Sequence, residues 1–395
     1  MRLLEKCERF YERVQDEIER IGAYPYFTPI SAVKGNRVIV DGKEMIMVGS
    51  NNYLGLWDHP EVKKASQEAI DRFGVSTCGS RFLNGTISLH IELEEKLAEF
   101  MKKEACQCFS TGFQTNLGAI SALVGKDDVI IVDRAVHASI IDAARLSFGE
   151  LIKFKHNDME DLEKVLSEIP KDKGKLIVVD GVFSMEGDLA DLPRIVELAK
   201  KYDAMVMVDD AHGVGVLGEN GIGTVEHFNL IDEVDLIMGT FSKSFASLGG
   251  FVVGKKEVIS YIKHNARSLI FSASMTPASA ASALTALKII QREPERRKRL
   301  WEITNRVKKE LNSMGFDTGF TQTPIIPIIL KEDEKAFALW KVLREMGIFT
   351  NPIISPAVPP GRALIRTSYT ATHTDEEISI VLDCIYKAGK MLGYI

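Results

Sequence analysis

The segment Gly239-Thr240-Phe241-Ser242-Lys243-Ser244 offers a lysine flanked by small hydroxyl side chains. An isolated lysine is ordinarily solvated surface. Here the apolar run Leu236 to Met238 precedes it, and Gly249-Gly250 with a second apolar run follows, so Lys243 is expected in a crevice just past a strand end. Partial desolvation lowers the pKa of an amine and makes it available as nucleophile and base. Thr240 and Ser242 can each donate a hydrogen bond to a phosphate. Upstream, Asp209 closes an apolar run within Val208-Asp209-Asp210-Ala211-His212, where a carboxylate can hold a ring nitrogen protonated and His212 can reach a phenolic oxygen. His137 follows the apolar run Val129 to Val132 at a helix start, where an imidazole can stack on an aromatic ring. Ser110-Thr111-Gly112-Phe113 precedes another helix, whose free amides and dipole favour phosphate.

Each segment also has a plain structural reading. Asp209 can cap a loop, His137 and Thr111 can cap helices, and Asp209, Asp210 and His212 can be read as metal ligands. The metal reading lacks a fourth ligand at comparable spacing, so no metal site is expected. Taken together, the segments supply an amine for an imine, a carboxylate for a pyridine nitrogen, a ring stacker and a phosphate cradle, which is what a pyridoxal phosphate site requires. Gly213-Val214-Gly215-Val216-Leu217-Gly218 matches the dinucleotide pattern G-x-G-x-x-G. That pattern needs its third glycine to open a helix. The chain instead continues as glycine-rich Glu219 to Thr224, so a dehydrogenase is set aside.

The elements that must position these groups follow from periodicity. From residue 51 to 280, short apolar runs (Val129 to Val132, Leu176 to Val179, Met205 to Val208, Leu236 to Met238, Gly250 to Val253) alternate with helical stretches, the pattern of buried parallel strands in an α/β layered domain. Residues 1 to 50 read as an amphipathic helix and a hairpin around Asp41-Gly42. Residues 281 to 395 read as a smaller α+β domain. With 395 residues, 45% hydrophobic and 26% charged, the chain can bury a large core. A net charge of −6 gives no general attraction to nucleic acid or anionic lipid. Five scattered cysteines suit a reducing compartment better than a disulfide framework, and no apolar run reaches membrane-spanning length, so a soluble cytoplasmic protein is expected.

Five segments carry a family resemblance: Ser50-Asn51-Asn52-Tyr53-Leu54-Gly55, His137-Ala138-Ser139, Asp180 to Asp188, Val208 to Gly213 and Thr240 to Lys243. With them the chain resembles the α-oxoamine synthases, acyltransferases of the fold-type I group of pyridoxal phosphate enzymes, over nearly its whole length. The resemblance implies a large, mainly parallel-sheet domain with a smaller C-terminal domain, and condensation of an amino acid, serine or glycine, with an acyl-CoA. Lys243 would form the imine and serve as acid and base, Asp209 would face the ring nitrogen, His212 the phenolic oxygen, and His137 would stack. Thr111, Gly112 and Phe113 would surround the cofactor, with Ser184 beside it and Thr240 and Ser242 at its phosphate. Arg366 matches the arginine that grips the substrate carboxylate, and Asn51 lies at a position near the amino acid. Ser272 and Ser274 resemble a segment that reaches the neighbouring subunit's phosphate, which implies a homodimer with shared sites. Tyr24 to Phe27, Gly79 to Thr86 and Ser242 look most like the bacterial serine palmitoyltransferases, implying a 3-keto long-chain base, CO2 and a place in sphingolipid metabolism. Glycine C-acetyltransferases and 8-amino-7-oxononanoate synthases are the alternatives. A non-catalytic partner subunit of the same fold is the reading from a different class, and the presence of Lys243 argues against it.

Overall fold

The computed structural model describes residues 2–395, which divide into two compact units: residues 51–301, and residues 2–50 together with 302–395. The sequence boundaries stood at 50 and 280. The later break has a packing cause, because the helix Pro277–Arg292 lies against the helices Pro60–Phe73 and Ser88–Phe100 of the larger unit. Residues 1–50 and the C-terminal part join through the parallel pairing of Ile348-Phe349 with Ile46-Met47.

The larger unit is built on a seven-stranded sheet. Its strands lie side by side in the order Ala105–Phe109, Gly250–Gly254, Leu236–Thr240, Met205–Asp209, Gly174–Asp180, Asp128–Asp133 and Glu150–Phe154. Gly250–Gly254 pairs antiparallel with both neighbours, while the pairings from Leu236–Thr240 outward to Glu150–Phe154 are all parallel. Six of the seven strands therefore run in one direction. The central strands are buried along almost their whole length, which accounts for the apolar runs in the sequence. In a sheet of this kind the carboxyl ends of the strands form the place for a ligand. Those ends here are Phe109, Asp133, Phe154, Asp180, Asp209 and Thr240.

The smaller unit has its own core, in which Ile46, Val307, Ile328, Trp340, Ile365 and Ile385 are buried together. Arg37–Val40 and Lys43–Met47 form the expected hairpin, with Asp41 and Gly42 both at positive φ (50° and 74°), as a two-residue turn of this twist requires. The helix Arg2–Ile21 forms where its spacing places it but buries none of its side chains. No described helix is long and apolar enough to cross a membrane.

Candidate active site

A cavity of about 260 Å³ opens at the strand ends of the larger unit. Ten residues singled out in the sequence line it: Thr111, Gly112, Phe113, His137, Ser184, Asp209, His212, Thr240, Ser242 and Lys243. They arrive from five strand–loop junctions, those that follow Phe109, Asp133, Asp180, Val208 and Gly239. Asp209 is the last residue of its strand, Thr240 the last of the next, and Lys243 lies on the bend three residues further on.

The Asp209 carboxylate is buried and held from two sides. Asn116 Nδ2 donates to Oδ2 at 2.7 Å, and the Ala211 amide donates to Oδ1 at 3.1 Å. Asn116 Nδ2 also donates to Ser139 Oγ at 2.8 Å, and Ser139 Oγ lies 2.7 Å from His137 Nδ1. One amide thus ties Asp209 to the imidazole. His137 caps the helix Ala138–Leu146 through its own ring and also lines the cavity, so its capping and site readings hold together. Burial presses its pKa below the ordinary value, Asp209 pulls it up, and the charge of Lys243 pushes it down again. Asp180, a further wall residue, accepts from the His137 amide at 3.3 Å. Burial first, and then the charge of Asp209, raises its carboxyl well above the carboxylate range.

His212 is fixed from behind by Tyr53, whose hydroxyl lies 2.7 Å from Nδ1 and donates to Asn51 Oδ1 at 3.4 Å. Asn51 therefore stands one residue behind the wall. At the other end, Thr111 caps the helix Gly112–Leu123 by accepting from the Gln114 amide at 3.0 Å. Thr240 Oγ1 and Ser242 Oγ lie 2.8 Å apart. A Cβ on Gly112 would fall 2.7 Å from Thr240 Oγ1, so only glycine permits this approach of helix start to strand end.

Ser272 and Ser274 are outside the lining: Ser272 Oγ accepts from Gln114 Nε2 at 3.0 Å, and Ser274 Oγ lies 2.7 Å from Thr77 Oγ1. Arg366 sits on the strand Ala363–Ser368 of the smaller unit, buried, in register with Pro327 and Asn351. Asp210 is not a companion of Asp209 and His212. It is fully buried among Gly181, Gly213 and Gly223, and its Oδ2 accepts from the Thr224 amide at 2.7 Å. Burial raises its carboxyl to about 7. The first glycine of the rejected dinucleotide pattern makes room for it: a Cβ on Gly213 would stand 1.9 Å from Asp210 Oδ1. Among the described residues, the one grouping with metal-ligand geometry is His59, Glu61 and Glu293, whose two carboxylates already pair with Arg292.

Asn116, Ser139 and Asp180 were not found from the sequence. Asn116 lies in a helix interior, Ser139 was noted only as part of His137-Ala138-Ser139, and Asp180 only as the opening of Asp180 to Asp188. No spacing rule marks an amide two turns from one strand as the partner of a carboxylate on another.

A mostly parallel sheet in this strand order, with a lysine, a carboxylate and two imidazoles gathered at its carboxyl ends, defines the fold-type I class of pyridoxal phosphate-dependent enzymes. Comparison with known proteins agrees. The model of the aminotransferase class I and II family matches residues 43–385, and the chain belongs to that family. It is 52% identical to a serine palmitoyltransferase of Sphingobacterium spiritivorum over 98% of this chain and 97% of that one. It is 46% identical to an 8-amino-7-oxononanoate synthase of Thermoanaerobacter pseudethanolicus over 98% of each. Among solved structures, the serine palmitoyltransferase of Sphingomonas wittichii superposes with a TM-score of 0.97 at 38% identity, covering 100% of this chain and 99% of that one. A high-resolution structure of SPT with PLP internal aldimine gives the same TM-score and identity over 100% of both chains.

The residues present fit this cofactor. Asn116 Oδ1 is buried beside Asp209 without a hydrogen-bond partner, and this pair of acceptors calls for a donor, as a protonated pyridine nitrogen supplies. The opening amides of the helix Gly112–Leu123 with the hydroxyls of Thr240 and Ser242 form a donor set for phosphate.

Proposed function

We propose that this chain joins L-serine to a long-chain acyl-CoA, forming a 3-keto long-chain base, CO2 and free CoA. In this reaction a bond forms between the serine α-carbon and the acyl carbon, the thioester C–S bond breaks, and the serine carboxylate leaves as CO2. The observation that carries the reading is the gathering of Lys243, Asp209, His137 and His212 around one cavity in a chain 52% identical to a serine palmitoyltransferase. It favours an enzyme over a non-catalytic partner subunit.

Pyridoxal phosphate, when bound, supplies an electron sink for negative charge at the amino acid α-carbon. The remaining work belongs to side chains. Asp209, fixed by Asn116, would keep the ring nitrogen protonated, and His212, steadied by Tyr53, would face the phenolic oxygen. His137 would stack on the ring face. Thr111, Gly112 and Phe113 would surround the cofactor, Thr240 and Ser242 would hold its phosphate, and Ser184 would stand beside it. Lys243 Nζ anchors the cofactor, takes the α-proton from the amino acid and returns a proton to the product. Arg366 pairs with the substrate carboxylate by its planar fork, and Asn51 orients the amino acid. The enzyme works as a homodimer in which Ser272 and Ser274 complete the partner's phosphate site. All five cysteines are free thiols, which supports a cytoplasmic setting.

The 46% identity to an 8-amino-7-oxononanoate synthase keeps a second reading, alanine with pimeloyl-CoA, in the same cavity. Glycine with acetyl-CoA is the third. Release of free CoA thiol, measured for serine, glycine and alanine against acetyl, pimeloyl and palmitoyl thioesters, separates them. Turnover is expected with serine and palmitoyl-CoA; turnover confined to another pair removes the serine assignment.

A further inference from the structure

His156 and Asn157 are unused by the chemistry above, yet they lie between two walls of the cavity. His156 follows the strand Glu150–Phe154. Its Nδ1 is 3.0 Å from Asp133 Oδ1, at the end of the neighbouring strand, and its Nε2 is 2.9 Å from Asp188 Oδ2. Asp188 belongs to a tight hairpin, residues 181–190, closed by the Val182–Leu189 bridge and by the Phe183 amide donating to the Asp188 carbonyl at 3.0 Å. That hairpin presents Val182 and Ser184 to the cavity. Phe183 meets the His156 ring edge-on with centroids 4.4 Å apart. Asn157 adds two ties, donating from Nδ2 to the Leu189 carbonyl at 2.8 Å and accepting from the Asp191 amide at 3.2 Å. Asp133 in turn accepts from the Ala135 amide at 2.7 Å, in the turn that delivers His137.

We infer that His156, bridging Asp133 and Asp188, is a positioning residue that straps the hairpin 181–190, and with it Ser184 and Val182, to the strand-end turn that carries His137. A neutral imidazole has one N–H and can serve one carboxylate; with a carboxylate at each ring nitrogen, only the protonated ring donates to both. The two carboxylates raise the His156 pKa to about 10, consistent with a permanent cation at neutral pH. The strap touches no reacting atom. It fixes the wall against which the cofactor rests, and so rests on the reading that this cavity holds pyridoxal phosphate.

The test compares wild type with His156→Gln, Asp188→Asn and the double variant. Hydrogen exchange of residues 181–190 is followed in cofactor-free protein, and pyridoxal phosphate affinity is measured by titration of the same samples. Each single variant is expected to speed exchange in 181–190 about tenfold with the strands Gly174–Asp180 and Met205–Asp209 unchanged, and to weaken the cofactor about five- to tenfold. The double variant should be no worse than either single one, because both remove the same bridge. Unchanged exchange in 181–190, an equal rise over the whole sheet, or additive effects would each overturn the strap. Should His156→Gln fail to fold, Asp188→Asn carries the same comparison. Failure of the wild type to bind pyridoxal phosphate would instead count against the cofactor reading and leave the exchange result to decide the strap.

Discussion

Replacing Asn116 by leucine, close to it in volume, removes the 2.7 Å donor to Asp209 and the 2.8 Å donor to Ser139 in one step. A hydrogen bond to a buried carboxylate contributes about 1.5–3 kcal/mol. The amide's own Oδ1 has no partner in the protein, and its removal offsets roughly 1 kcal/mol. The net loss of about 0.5–2 kcal/mol falls on the group proposed to face the ring nitrogen, which corresponds to about a two- to thirtyfold weaker affinity for pyridoxal phosphate. Fluorescence titration of apoprotein measures this directly. An affinity within twofold of wild type, in a variant with unchanged sheet protection, would refute the claim that Asn116 holds Asp209.

Other expectations follow from the same geometry. Tyr53→Phe removes one 2.7 Å contact to His212 at no cost in shape, and should lower kcat about tenfold with the fold intact; a kcat within twofold of wild type would contradict the positioning role. Arg366→Ala should raise the KM for the amino acid while leaving bound cofactor unchanged; loss of cofactor would contradict its carboxylate role. His90 and His373 are buried with pKa values lowered to about 4, chiefly by burial. Since the unfolded chain protonates near 6.5, stability should fall as pH drops from 6.5 towards 4, by about 1.4 kcal/mol per pH unit for each histidine; a midpoint of urea unfolding that stays flat over that range would contradict both. His156 has the opposite sign. Its stabilisation by Asp133 and Asp188 is fully present below pH 6.5 and is lost as pH rises towards 10, an effect of about 1–2 kcal/mol once discounted for the 40% exposure of its side chain. His156→Gln should abolish this alkaline loss.

The larger sheet was legible because strands buried on both faces are short apolar runs with little else in them. Val129 to Val132 became Asp128–Asp133, and Leu176 to Val179 became Gly174–Asp180. The two outer strands, Ala105–Phe109 and Glu150–Phe154, escaped notice, since mixed burial at an edge leaves no such run. At the site, side chains that line the cavity could be read from residue type and place after a strand. Those that hold other side chains could not. Asn116 and Tyr53 act through contacts 93 and 159 residues away in sequence, and His156 through carboxylates 23 and 32 residues distant. Only the folded strand order brings these together. The association of residues 1–50 with the C-terminal part likewise depends on one short parallel pairing, Ile348-Phe349 with Ile46-Met47, too brief to leave a periodic signal.

The central claim is that Lys243 is the covalent anchor of the cofactor in this cavity. Borohydride reduction of the purified enzyme loaded with pyridoxal phosphate, followed by peptide mass mapping, tests it most directly. A phosphopyridoxyl group fixed on Lys243, and absent from every peptide of Lys243→Ala, is the predicted result. A label on another lysine, or none in the wild type, would contradict it.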